Sequence, residues 1–338
     1  MRGYLVALLL GCISLRAELF QLPTANRALY EPNGEEKFFA PTPGKDWRSG
    51  TFGCVRSDGG QLHEGLDIRS IQHDKRGEPV DPVMVTADGT VAYINRKSGL
   101  SNYGNYIVVK HIVEGMEIYS LYAHLSEVRD SLKPGQPVKT GEVIATMGRT
   151  SNTSQRIGQD RAHVHFELNL FVSENFPAWY RKHFPDQHDD HGQWNGQNLL
   201  GLDPREILLA QKARGEKFHL LEYIQNQTEL CRVLVRQVDF PWVKRYRALL
   251  RSNPVAEKNG PAAYELVLNF NGIPFQIIPR AASEVKGTAR YQLLEVNEAE
   301  QKKNPCRHLI VQRGKSWQLT EHGIQLLDLL TWRASVGK

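Results

Sequence analysis

Ala162-His163-Val164-His165-Phe166-Glu167-Leu168 is the stretch on which the fold is read. Valine, phenylalanine and leucine alternate with histidine and glutamate, the period of two that marks a strand with one buried face. His163, His165 and Glu167 therefore share one face, while Val164, Phe166 and Leu168 share the core side. Two imidazoles aimed the same way from a rigid strand suit a metal site, although His-x-His by itself recurs by chance in surface strands.

Outward from this strand, residues 51–170 alternate short β-rich runs (83–86, 89–93, 106–109, 118–121, 143–145, 163–170) with Gly, Asn and Pro punctuation. No helix of ordinary length fits between them, so the pattern predicts a mainly β domain, an antiparallel sheet or sandwich. Two further motifs in it carry chemistry. His63-Glu64-Gly65-Leu66-Asp67 sets a histidine and a carboxylate four apart. In a straight strand they would start about 13 Å apart, too far for one zinc with bonds near 2 Å, and Gly65 permits the bend that brings them together. Tyr122-Ala123-His124-Leu125 closes the run 118–121. Singly, these read as a solvated loop and a strand-end histidine. Together, two histidines and one aspartate make a three-ligand set without cysteine, which leaves a fourth position for water as catalytic zinc requires.

In this order and context the chain resembles the lysostaphin and LytM-type family of zinc endopeptidases, over about residues 49–170. The motifs His-x-x-x-Asp, Tyr-x-His-Leu and His-x-His-Phe-Glu stand at 63/67, 122–125 and 163–167. Ser49-Gly50-Thr51-Phe52-Gly53, Ala87-Asp88-Gly89-Thr90-Val91, Tyr103-Gly104-Asn105-Tyr106, Lys133-Pro134-Gly135-Gln136 and Gly141-Glu142-Val143-Ile144 look like the family's strand and turn markers. The resemblance implies one zinc ion held by His63, Asp67 and His165. It implies that His124 and His163 act on the substrate, one as proton acceptor and one as oxyanion stabiliser, in an order left open. It also implies hydrolysis of stem or cross-link peptides of bacterial peptidoglycan. Two rivals stand beside this: a non-catalytic wall-binding or hydrolase-activator protein on the same fold, a fate of the family when ligands are lost, and a zinc enzyme for another small-residue-rich peptide. None of the five positions is lost here. Residues 69–82, with His73, are longer and more polar than the family pattern, and 149–161 replace its tight Gly-rich approach to the histidine pair. Both segments are expected to wall the groove.

The rest of the chain bounds this reading. With 338 residues, 41% hydrophobic and 23% charged, it has the length for two globular domains. Residues 1–17 read as a signal peptide: Arg2, an apolar run over 4–15 that is too short to span a bilayer, and Ala17 before the cut. Export to the periplasm, envelope or medium follows, with Leu9-Leu10-Gly11-Cys12 loosely resembling a lipobox that would lipidate Cys12 instead. No later segment is apolar enough to be transmembrane. The net charge of +5 falls by two when Arg2 and Arg16 leave, too weak to argue for nucleic acid and enough only for mild attraction to an anionic envelope polymer. Proline-rich residues 18–48 read as an extended leader over the next domain, placed to occupy the groove and hold an enzyme latent. The endopeptidase domain is expected over 49–214, with 171–203 inserted as a surface loop and Asp203-Pro204 capping a helix.

Residues 215–338 are expected to be a small α+β accessory domain of unassigned role. A helix near 241–251, a hairpin at Asn271-Gly272 and a last helix opened by Thr320 mark it. Of the three mature cysteines, Cys231 and Cys306 are the expected pair, since both lie in this part. His73 and His111 read as loop and strand-end residues, and His188-Asp189-Asp190-His191 as a solvated loop or a second metal site. Tyr103, Asn105, Trp179 and Trp194 are candidates to line a substrate groove.

Overall fold

The computed structural model describes residues 18–153 and 157–333; the expected signal segment, with Cys12, lies outside them. Twelve strands precede residue 203: β1 (Gly53–Arg56), β2 (Gln61–His63), β3 (Leu66–Arg69), β4 (Pro82–Met84), β5 (Gly89–Asn95), β6 (Tyr106–Val113), β7 (Met116–Ala123), β8 (Glu127–Val128), β9 (Pro137–Val138), β10 (Val143–Thr146), β11 (His163–Phe171) and β12 (Leu199–Leu202). The main sheet runs β12-β11-β7-β6-β5-β9, and a small sheet β4-β10-β8 forms a second layer. Val83, Ile144 and Met147 from the second layer share one core with Ile107, Ile118, Val164, Phe166 and Leu168 from the first. The antiparallel, mainly β expectation is met, with one face of the long strands in this core, while β11 is buried on its other face as well.

The pairing of β11 decides the site. One edge is covered by β7, and the other by β3 and then β12 in tandem. Asp67 stands opposite His165 on one side, and Ala123, next to His124, stands opposite it on the other. Gly65 makes the sharp passage from β2 to β3 possible, since a Cβ there would lie 2.3 Å from the Phe166 carbonyl oxygen.

The leader is built into the core rather than draped over it. Phe20, Leu22, Phe38 and Phe39 are buried in the main cluster, Gln21 N–H donates to the Thr86 carbonyl, and Ala40 N–H donates to the Asp67 carbonyl. Residues 171–203 also hold more structure than a surface loop. The helix Phe176–His183 buries Trp179 and Tyr180, and β12 extends the sheet along β11. Asp203 caps the helix Pro204–Arg214 by accepting from Arg205 and Glu206 N–H.

In the C-terminal part, β13 (Cys231–Val235), β14 (Ala263–Leu268), β15 (Pro274–Arg280) and β16 (Tyr291–Val296) form an antiparallel sheet in the order β15-β14-β13-β16, followed by the hairpin β17 (Ile310–Arg313) and β18 (Ser316–Leu319). Gly272 supplies the left-handed residue (φ 84°) of the β14–β15 turn, and Thr320 caps the helix Glu321–Thr331. Its core is continuous with that of the main sheet. Tyr246 Oη accepts from Phe171 N–H, and Asn271 donates to the Gly201 carbonyl.

The expected cysteine pairing is corrected. Cys54 on β1 bonds to Cys306, and Cys231 is a free buried thiol. Cys231 opens the central strand β13 with its side chain in the core, whereas Cys306 lies where the C-terminal part meets β1, so proximity in sequence was the wrong guide. A bridge spanning 252 residues removes much freedom from the unfolded chain. Cys306→Ser is expected to lose about 2–5 kcal/mol of stability, checked by urea unfolding of both proteins with and without reductant.

Candidate metal centre

Where the end of β2 and strand β3 meet β11, three ligand atoms converge. His63 Nε2 lies 3.0 Å from Asp67 Oδ1 and 3.1 Å from His165 Nδ1, and His165 Nδ1 lies 3.0 Å from Asp67 Oδ1. Donors on a tetrahedral metal at about 2.0–2.1 Å stand roughly 3.3 Å apart, so the triangle has the size of a metal's coordination face. Among the described residues it is the one group of three such side chains found.

The far nitrogen of every imidazole is fixed by an outward acceptor. Nδ1–H donates to the Thr51 carbonyl from His63 (2.7 Å), to the Thr150 carbonyl from His124 (2.8 Å) and to the Arg161 carbonyl from His163 (2.6 Å). His165 Nε2–H donates to Glu167 Oε1 at 2.8 Å. The inner nitrogens therefore present lone pairs to one another and to a carboxylate, an arrangement that calls for a cation. Burial alone would push the Asp67 carboxyl up, but the surrounding histidines hold it well below the usual carboxylate range. Burial likewise opposes charge on His165, yet hydrogen bonds to Asp67 and Glu167 raise its pKa to about 10, so in the bare chain a proton fills the cation's place. Burial lowers His163, and burial together with the neighbouring histidines lowers His124 to about 3, so both are neutral proton acceptors at neutral pH.

His124 directly follows β7, its ring 4.9 Å from that of His163 and 6.0 Å from that of His165. It takes a left-handed backbone (φ 60°), which costs a non-glycine residue about 1 kcal/mol or more. The Tyr103 and Asn105 carbonyls clamp that turn by accepting from His124 and Leu125 N–H. Of the four proposed groove residues, Tyr103 alone lines the groove of about 480 Å³ above the centre. Asn105 braces the His124 turn, Trp179 is core, and Trp194 packs over Tyr119 and Phe171.

Glu167 is the functional residue that reading the motif left without a role. It is 1% exposed, and it accepts from His165, from Tyr103 Oη–H (2.8 Å) and from Asn169 (2.7 Å). The same period of two that placed it on the histidine face was the signal for this. The His188–His191 stretch does not gather: His188 meets Asp190, Asp189 caps local backbone, and His191 meets Tyr93. His111 is buried between the Asp88 carbonyl and Ser120.

Comparison with known proteins finds similarity over the residues that carry this centre. The sequence profile described as "Peptidase family M23" matches residues 61–175. The chain is 36% identical over 121 residues to "Lipoprotein NlpD/LppB homolog" of Pseudomonas aeruginosa, covering 36% of this chain and 33% of that one. It is 35% identical over 132 residues to "Murein hydrolase activator NlpD" of Escherichia coli (38% and 29%). It is 34% identical over 110 residues to "DD-carboxypeptidase/endopeptidase Mpg" of Neisseria meningitidis (32% and 20%). The chain thus spans a third or less of these relatives' lengths. Residues 61–175, the span that matches the peptidase family M23 profile, hold the triangle, His124 and His163.

Proposed function

We propose that this chain is an exported zinc-dependent endopeptidase that hydrolyses stem or cross-link peptides of bacterial peptidoglycan. The domain occupies about 49–214, and the accessory part follows from 215. The reading is carried by one observation: His63, Asp67 and His165 turn three donor atoms to one point while every far imidazole nitrogen is anchored outward. In it, His63, Asp67 and His165 hold the metal and Glu167 fixes His165 in the tautomer that offers Nδ1. Zinc bound there supplies a Lewis acid and a water of lowered pKa. His124 and His163, both with Nε2 lone pairs toward the centre, take the proton of the attacking water and, once protonated, hydrogen-bond the developing oxyanion or the leaving nitrogen.

A second reading has its own support, because the relatives include proteins named murein hydrolase activators. Metal analysis of the purified chain with chromatography of peptides released from cell wall separates the two. One zinc per chain and new amine ends support hydrolysis. Intact wall, together with faster digestion by an added wall hydrolase, supports activation.

Two smaller effects follow. Glu167→Gln is expected to weaken zinc binding about 10–100-fold, read by titration against a competing chelator. Metal must displace the His165 proton, so affinity rises roughly tenfold per pH unit towards about 10, with one proton released. Calorimetry in buffers of different ionisation heat measures that proton. The sign for the metal-free chain is opposite: stability from the raised His165 pKa is complete below its ordinary 6.5 and is lost as pH rises through about 10.

A further inference from the structure

Two guanidinium groups in the groove have no part in the reading above. Arg56, on β1, places Nη2 2.5 Å from Asp67 Oδ2, the oxygen turned away from the two histidines. Arg161 ends the 3-10 turn Gln159–Arg161, just before β11. Its Nε donates to the Pro41 carbonyl at 2.7 Å, and its terminal nitrogens make no hydrogen bond among the described residues. Both line the groove with the four histidines. Burial opposes the charge on Arg161, Asp67 and Asp160 attract it, and Arg56 repels it.

The charges do not balance. Within the groove lining the two arginines share one near carboxylate, Asp67, which already serves the histidine cluster, and Asp160 attracts Arg161 from outside that lining. The groove's other acid, Glu64, has Arg307 of the C-terminal part within electrostatic reach. Like charges gathered in a half-buried place are held at a cost that an arriving anion removes. A guanidinium presents a planar fork that matches a carboxylate, and the leader carbonyl already fixes Arg161, so little freedom is lost on binding. Arg56 touches a side chain of the metal triangle directly. A carboxylate bridging Arg56 and Arg161 would border the metal triangle, within reach of the residue that follows the scissile carbonyl, ~3.8 Å on between Cα atoms.

We propose that Arg161, seconded by Arg56, reads a free carboxylate on the carbon that bears the leaving nitrogen. The favoured substrates are then amides of amino acids whose own carboxyl is free, rather than bonds flanked by amides on both sides. This deepens the hydrolytic reading and rests on it. Two kinds of wall peptide offer that chemistry: a stem ending in a free carboxylate, and a cross-link whose acceptor residue keeps its carboxylate.

The test uses the full zinc-loaded chain with matched pairs. One pair is diacetyl-L-lysyl-D-alanyl-D-alanine and its C-terminal amide; the other is a cross-linked muropeptide dimer with the acceptor carboxylate free or amidated. A preference for the free acid of about tenfold or more in kcat/KM, carried by KM, is expected in at least one pair. The pair that shows it identifies the source. Arg161→Gln brings the ratio close to one, and Arg161→Lys restores part of it. Equal rates on acid and amide in both pairs overturn the proposal, and so does a ratio that Arg161→Gln leaves intact. If neither pair is cut, the hydrolytic reading fails separately and calorimetric binding of the acid against the amide decides. Tighter binding of the acid, lost in Arg161→Gln, upholds the carboxylate site, and equal binding overturns it.

Discussion

His165→Ala is expected to strip the metal and stop cleavage, while His124→Ala keeps the metal and stops cleavage alone. Structural zinc sites bind with about 10–16 kcal/mol shared over four ligands, so loss of one ligand costs on the order of 3 kcal/mol, ~10²-fold in affinity. His165 also anchors Glu167 and stands 3.0 Å from Asp67, so its removal leaves two buried carboxylates short of a partner. The fall should therefore exceed the simple share. His124 touches neither His63 nor Asp67 through a hydrogen bond; its ring meets His163 and its Nδ1–H goes to Thr150. Removing it should leave zinc content at one per chain and lower hydrolysis by about 10²–10⁴-fold, the usual worth of a positioned acid–base group. Zinc analysis and wall-peptide release on the same preparations test both halves. A His124→Ala protein that keeps full activity would assign the proton transfer to His163 alone.

A chain beginning at Trp47 is expected to fail to fold, rather than to emerge as an unlatched enzyme. It would lack Phe20, Leu22, Leu29, Phe38 and Phe39, all buried in the main cluster. Each such side chain contributes about 1.5–3 kcal/mol on burial. Five together amount to roughly 10 kcal/mol, comparable with the whole stability of a typical domain, about 5–15 kcal/mol. The leader also bonds to Thr86, to Asp67 and, through the Phe20 backbone, to Gln211. Circular dichroism and solubility of the trimmed chain read this directly. A soluble, cooperatively melting trimmed protein that cleaves faster than the full one would instead establish the leader as a latch, since Thr42 and Pro43 border the groove.

Much of the site could be read along the chain because its signals are local. Alternation along 162–168 placed His163, His165 and Glu167 on one face, and β11 carries them so. The bend allowed by Gly65 explained how a histidine and an aspartate four apart could meet, and they do at 3.0 Å. The caps at Asp203 and Thr320 and the turn at Gly272 lie within four residues of the groups they serve, so they were equally legible. What was missed depends on partners far apart. The role of Glu167 needed Tyr103, 64 residues away, and Asn169 to be seen donating to it. The place of Arg161 needed Pro41, 120 residues away.

The sequence by itself determined the strand period, the order of the three motifs and the residue types that meet at the centre, since these follow from backbone geometry within a few residues. Only the tertiary structure decided that Cys54 pairs with Cys306, that Phe20, Leu22, Leu29, Phe38 and Phe39 of the leader belong to the core, and that two arginines share the groove with the histidines. The physical reason is the same in each case. Strand periodicity and capping act over one to four residues, whereas a disulfide, a buried aromatic or a charge pair is set by distances in space that hundreds of intervening residues leave unconstrained until the sheets have packed.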